Sequence, residues 1–208
     1  MVQKHLIVIC LALAVVLLFI ATLLYPGGSQ ASLQSSGYDW ANNYLCNLFD
    51  AKGMNGISNP GMLWAFAGMF FLCLGLGIFF YRTSAKIQHL SSAMIIRYAG
   101  MTAMFFAFFV VTRYHDIMVT ISCTFAMLAI FYLSVFVFTS RSLFFKILTT
   151  LCLITLYFSD FVYYSSTWLE ILPITQKATY LLIIIWVLGL EYYTTAEDFP
   201  YKAKQPES

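Results

Sequence analysis

Six apolar runs, each about as long as a bilayer is thick, alternate with polar stretches along nearly all of this 208-residue chain. The first begins after Lys4 and the last closes near Tyr193, and a polar stretch of some 35 residues separates the first two. A helix needs roughly 20 apolar residues to cross hydrocarbon. In that medium only helices and closed barrels satisfy every backbone donor and acceptor. Helices are therefore expected at about 5–25, 61–81, 92–112, 117–139, 144–164 and 174–193, as an all-α integral membrane six-helix bundle spanning 1–193. Composition agrees: 61% of residues are apolar and only 10% charged, against about 25% charged in a soluble domain. The polar tail 194–208, with Pro200 and Pro206, is expected to be disordered and cytoplasmic.

Breakers punctuate the runs. Pro26-Gly27-Gly28 ends the first, and Asn59-Pro60-Gly61 opens the second, with proline where a missing N–H costs little. Lys4 and Ser29-Gln30-Ala31 imitate a secretory signal, but the Leu6–Leu24 run exceeds the roughly 7–15 residues of a signal h-region. An uncleaved first helix is expected. Lys4, Arg82, Lys86, Arg141, Lys146, Lys202 and Lys204 fall on one side of the membrane, and Lys52, Arg113 and Lys177 on the other. Positive charge stays inside, so both termini are expected in the cytoplasm, of a prokaryotic (inner-membrane) cell. Small residues recur at helical spacing: Gly61, Ala65, Gly68 and Gly75; Ala99, Ala103 and Ala107; Ser122 and Ala126. Such rows let helices approach closely in lipid.

The polar groups gather on the expected outer side. In the first loop Trp40, Tyr44 and Leu48 repeat at helical spacing, opposite Asn43, Asn47 and Asp50. This predicts a short amphipathic helix over 40–50, capped by Asp39, lying at the interface or over the bundle mouth. Arg113-Tyr114-His115-Asp116 is the polar link before helix four, where the dipole favours the Asp116 carboxylate. Asp160 lies about a turn inside helix five, with Tyr157, Tyr163 and Tyr164 at i−3, i+3 and i+4. An acid at that depth faces the bundle or a watery cavity, with a tyrosine or Arg113 as its expected partner. Arg97 and Glu191 sit at similar depth on the opposite side and are expected to pair structurally. Of five cysteines only Cys46 is in a loop, and no CxxC occurs. One outward histidine does not make a metal site, so neither metal nor cofactor is expected. The net charge of +2 and the lack of a basic stripe exclude nucleic acid as a partner.

The arrangement resembles a six-span prokaryotic family distantly similar to DRAM- and FRAG-type membrane proteins. The resemblance rests on Asn43 to Leu48 with the Asn-Tyr-Leu-x-x-Leu pattern, on Asn59-Pro60, on Arg97 early in helix three, and on His115 before helix four. Where members often carry Ser-Asp, this chain has Cys46-Asn47. The resemblance implies a fold and a membrane setting, without an activity. Seven-span zinc hydrolases of the alkaline-ceramidase and adiponectin-receptor type do not fit, for want of three outward histidines.

The reading that follows is a multi-pass protein holding a lipid or small amphiphile in an outward cavity. Its ligand-facing candidates are Asp160, His115, Asp116, Arg113, Tyr157, Tyr164, Asn43 and Asn47. The alternative is a lipid-modifying enzyme that uses Asp160, His115 and Asp116 as acid, base or metal ligands. A small transporter is the third reading, though no span carries the Gly/Pro interruption common at transporter sites. A first test places a reporter at the C-terminus.

Overall fold

The computed structural model describes residues 2–199, and side chains from His5 onward. Six α-helices run α1 Val2–Leu23, α2 Met62–Ser84, α3 Leu90–Phe108, α4 His115–Thr139, α5 Leu143–Ser165 and α6 Leu172–Tyr193. Each is long and apolar enough to cross a membrane. The chain is thus built as an integral, multi-pass membrane protein, and its helix boundaries differ from the sequence expectation by only a few residues.

Packing follows chain order: α1 lies on α2, α2 on α3, α3 on α4, and α5 on α6. Gly68 and Gly75 explain the tight α1–α2 seam. A Cβ added to Gly68 would lie 2.8 Å from Leu18 Cγ, and one added to Gly75 would lie 3.0 Å from Cys10 Cβ. The core between helices holds Leu76, Phe79, Ile96, Leu133 and Trp186, all buried. Phe79 and Trp186 meet edge to face with centroids 5.9 Å apart, a favoured aromatic geometry. α4 and α5 touch far less than the other sequential pairs.

The start of α1 and the end of α6 share one end of the bundle, where His5 stacks on Tyr192 with ring centroids 6.1 Å apart. Glu191 is the ionic centre of that end. Its carboxylate is 2.9 Å from Arg82 Nη2 and 3.9 Å from Lys86 Nζ. Lys86 also donates to the α6 carbonyls of Leu190, at 2.8 Å, and Glu191, at 3.1 Å. Arg97 is not in this set. Its Nε donates to Ser84 Oγ at 3.0 Å, and its guanidinium lies 4.9 Å from the Tyr81 ring centroid. The expected Arg97–Glu191 pair is therefore replaced by Arg82–Glu191. The reason is lateral order: α2 packs on both α3 and α6, so its own cations reach Glu191 first and its Ser84 and Tyr81 hold Arg97. Beyond α6, Ala196–Asp198 form a 3-10 turn and Phe199 is fully buried. Within the stretch expected as a tail, Thr194 to Phe199 are described, and Phe199 packs in the core. Residues 200–208, like the side chain of Lys4, lie outside what the structure describes.

The opposite end carries the long first loop, residues 24–61, folded back as a cap. Leu48 is its anchor, fully buried against Ala21, Tyr25 and Ala65. The expected amphipathic helix over 40–50 is absent; the segment holds only a five-residue 3-10 turn, Leu45–Phe49. Asparagine and aspartate side chains compete with helix by bonding nearby backbone, and here they win. Asp39 Oδ1 accepts from the N–H groups of Ala41 and Asn42. Asn43 Oδ1 accepts from Asp39 N at 2.8 Å, and its Nδ2 donates to Gly28 O at 2.9 Å. Asn59 Nδ2 donates to Leu48 O and Asp50 O, while its Oδ1 accepts from Gly61 N at 2.9 Å.

Candidate functional site

A cavity of about 910 Å³ runs from beneath the cap into the bundle, lined by α2, α3, α4, α5 and α6. That volume falls within the roughly 300–1,000 Å³ of small-molecule sites. Periodicity sets its walls. α4 contributes His115, Val119, Ser122, Cys123, Ala126 and Ile130; α6 contributes Leu172, Gln176, Thr179, Ile183 and Trp186. These are the i, i+3, i+4, i+7 positions of one helical face each. The floor is apolar, with Leu76, Phe80, Ile130 and Trp186, and the polar groups sit toward the mouth. On α6, Gln176 and Trp186 are ten residues apart, so mouth and floor are separated by about 15 Å. Small side chains leave the room: Ala107 on α3 and Ser122 and Ala126 on α4 all line it.

Three elements build the mouth. His115 opens α4, and its Nδ1 is 3.0 Å from Asp116 Oδ1. The same oxygen accepts the Tyr163 hydroxyl from α5 at 3.0 Å. From α6, Gln176 Oε1 accepts the Leu45 N–H at 3.0 Å, and Lys177 Nζ donates to Asn43 O at 2.6 Å and Pro173 O at 2.8 Å. The Tyr44 hydroxyl donates to Leu169 O at 3.3 Å. These contacts latch the cap onto α6. Lys177 also sits 5.4 Å from the Tyr38 ring centroid. Burial pushes the Tyr38 phenol above its ordinary range, which keeps that ring neutral beneath the cation. Asp39 is held below the usual carboxylate range by hydrogen bonds, first from the Asn42 side-chain amide and then from backbone N–H groups.

Asp160, His115, Asp116, Tyr164 and Asn47 all line this one cavity. Three other sequence candidates stand apart from it. Arg113 is exposed and donates to its neighbour's Tyr114 hydroxyl at 2.9 Å. Tyr157 is exposed on the outside of α5, and Asn43 is fully buried as the cap's internal brace. Asp160 takes neither a tyrosine nor Arg113 as partner. Its Oδ2 is buried with no hydrogen bond among the described residues, and Cys123 of α4 lines the same cavity. The three nearby phenols are diverted: Tyr163 donates to Asp116, and Tyr164 and Tyr157 are exposed. Helical spacing placed them near Asp160, but the turn of α5 aims them elsewhere.

Sequence reasoning passed over Cys46, Cys123, Gln176 and Lys177. Cys46 Sγ lies 3.9 Å from Gln176 Nε2, and Cys46 and His115 line the same cavity. Its position in a loop of Asn-rich polar text was the one available signal. No group of three or more histidine, cysteine or acidic residues able to hold a metal occurs among the described residues. Comparison with known proteins finds no matching family model, no matching curated protein and no matching solved structure.

Proposed function

We propose that this protein binds a single-chain amphiphile, with its tail in the cavity and its head at the Asp116–His115–Gln176 mouth. One observation carries the reading: a cavity with an apolar floor and with its charged groups toward the capped end matches a molecule with one greasy and one polar end. Cavities of this size in a tightly packed interior are otherwise costly, because the lining loses its contacts. A tail would enter laterally between α4 and α5, the sequential helix pair that touches least, and so would not pass through water. The seven-to-three excess of positive residues puts both termini in the cytoplasm and the cap outside, as suits a prokaryotic cytoplasmic membrane. The resemblance to DRAM- and FRAG-type proteins accords with this setting and adds no activity.

Native mass spectrometry of the full chain in amphipol tests the reading, with lauroyl-lysophosphatidylcholine as probe. One saturable adduct is expected, and Ala126→Phe, which fills the floor, should remove it. Absence of any adduct, or an adduct that Ala126→Phe leaves intact, overturns the proposal.

A further inference from the structure

We infer that the cavity takes a long-chain amine, its ammonium seated against the Asp160 carboxylate and its alkyl chain on the apolar floor. The inference rests on the amphiphile reading and names the head group that such a ligand carries.

Charge comes first. Asp50, Asp116, Asp160 and His115 line the cavity, and no lysine or arginine lines it among the described residues. Two cations of the same end are engaged elsewhere. Lys177 Nζ donates to Asn43 O at 2.6 Å and Pro173 O at 2.8 Å, and Arg113 donates to the Tyr114 hydroxyl at 2.9 Å. Asp116 has partners in His115 Nδ1 and the Tyr163 hydroxyl, each at 3.0 Å. Asp50 is exposed on the cap. Asp160 differs from both. It lies within α5 and belongs to none of the ion pairs among the described residues, which are Arg82–Glu191, Lys86–Glu191 and His115–Asp116. Its Oδ2 is buried without a hydrogen bond. One carboxylate, rather than a cluster, is therefore left without a counter-charge.

Depth comes second. Asp160 precedes Tyr163 by three residues on α5, so it lies about 4.5 Å farther into the bundle than the mouth. Ser159 and Thr179 join α5 to α6 beside it, with hydroxyls 3.3 Å apart, and both line the cavity. Beyond them lies the apolar floor of Phe80, Ile130 and Trp186. An acid within a span needs water or a partner. A neutral head group leaves Asp160 uncompensated, and an anionic one meets like charge. An ammonium supplies both the charge and the N–H donors that the carboxylate lacks. The Ser159 and Thr179 oxygens are acceptors for its remaining N–H groups. Tyr163 and Tyr180 also line the cavity and offer aromatic surface, which attracts cations.

Native mass spectrometry of the full chain in nonionic amphipol compares dodecylamine, dodecanol and dodecanoate, with lauroyl-lysophosphatidylcholine as the reference amphiphile. Dodecylamine is expected to bind at least about tenfold more tightly than dodecanol, the low end for a hydrogen bond to a charged group. Dodecanoate should bind more weakly than dodecanol. Asp160→Asn should erase the preference for the amine and keep the lysolipid adduct, which also reports folding. If Asp160→Asn does not fold, Asp160→Ser is used with the same expectation. Asp116→Asn should keep the preference, because Asp116 already has its partners. Octadecylamine carried in nanodisc lipid and dodecylamine supplied in water share the ammonium chemistry. Displacement of the lysolipid by the first alone makes the ligand a membrane lipid, and by the second alone a water-borne amine. Equal binding of amine and alcohol, tight binding of dodecanoate, or a preference that survives Asp160→Asn overturns the Asp160 site alone. A parent chain that binds neither the lysolipid nor any dodecyl probe overturns the amphiphile reading with it.

Discussion

Single residues decide two matters that depth in the membrane leaves open. Asp160 has one buried oxygen without a hydrogen-bond partner among the described residues. A buried polar group lacking partners costs about 1–3 kcal/mol, and a charge in a span costs more. Asp160→Asn is therefore expected to leave thermal stability within about 1 kcal/mol of the parent, or to raise it. A clear fall in the melting temperature would mean that the carboxylate is held by bonds the structure lacks. At the other end, Glu191 is nearly buried while Arg82 is about one-third exposed. Solvent screens such a pair, so Glu191→Gln should cost about 1–2 kcal/mol rather than the ~3–5 of a fully buried one. A double-mutant cycle on unfolding should find coupling between Arg82 and Glu191 and additivity between Arg97 and Glu191. Coupling in the second cycle would restore the pairing read from the sequence. That reading ranked partners by depth, which hydropathy encodes. It could not rank them by lateral order, which hydropathy does not encode, and α2 turned out to be interposed.

At the scale of elements, the six helices were legible because each had to meet the same length requirement in the same solvent. The cap was not. Its conformation comes from side-chain bonds of Asp39, Asn43, Asn47 and Asn59 to backbone groups, and these override a helical apolar repeat of only three residues. Its latches to α6 join residues more than 120 positions apart, such as Leu45 to Gln176. No local pattern announces them. Asp39 also sets how the cap responds to acid. Its carboxyl lies below the ordinary value of 3.8, chiefly through the Asn42 amide. A carboxylate depressed in the folded state contributes stability above its unfolded pKa and loses it as pH falls through the folded one. Hydrogen exchange of residues 28–47 should accordingly stay slow down to about pH 4 and quicken below it. Asp39→Asn should remove that acid step. A cap that opens between pH 5 and 7 would point to another group.

The whole molecule is a bundle with two unlike ends. One gathers the start of α1, the end of α6 and the Arg82–Glu191 cluster, and the other carries the cap and the cavity mouth. The sequence set His115 and Asp116 at the outer end and Asp160 a turn below it, and the fold places them on one cavity, but Cys46 and Gln176 became visible only through tertiary contact. The charge asymmetry makes orientation testable: a C-terminal reporter that works only in the cytoplasm should be active, and a periplasmic one silent. The reverse pattern would turn the cap inward and deny the ligand an outer entrance.

The central claim, a chain held from mouth to floor, is tested most directly through Trp186. It is 1% exposed on the cavity floor, whereas Trp40, Trp64 and Trp168 are 52%, 43% and 57% exposed. Replacing those three with phenylalanine leaves one reporter of the floor. Lysophosphatidylcholine brominated at the chain end should quench Trp186 saturably in nanodiscs, and the same lipid brominated near the head should quench weakly. Equal quenching from both positions, or quenching that never saturates, would contradict the account.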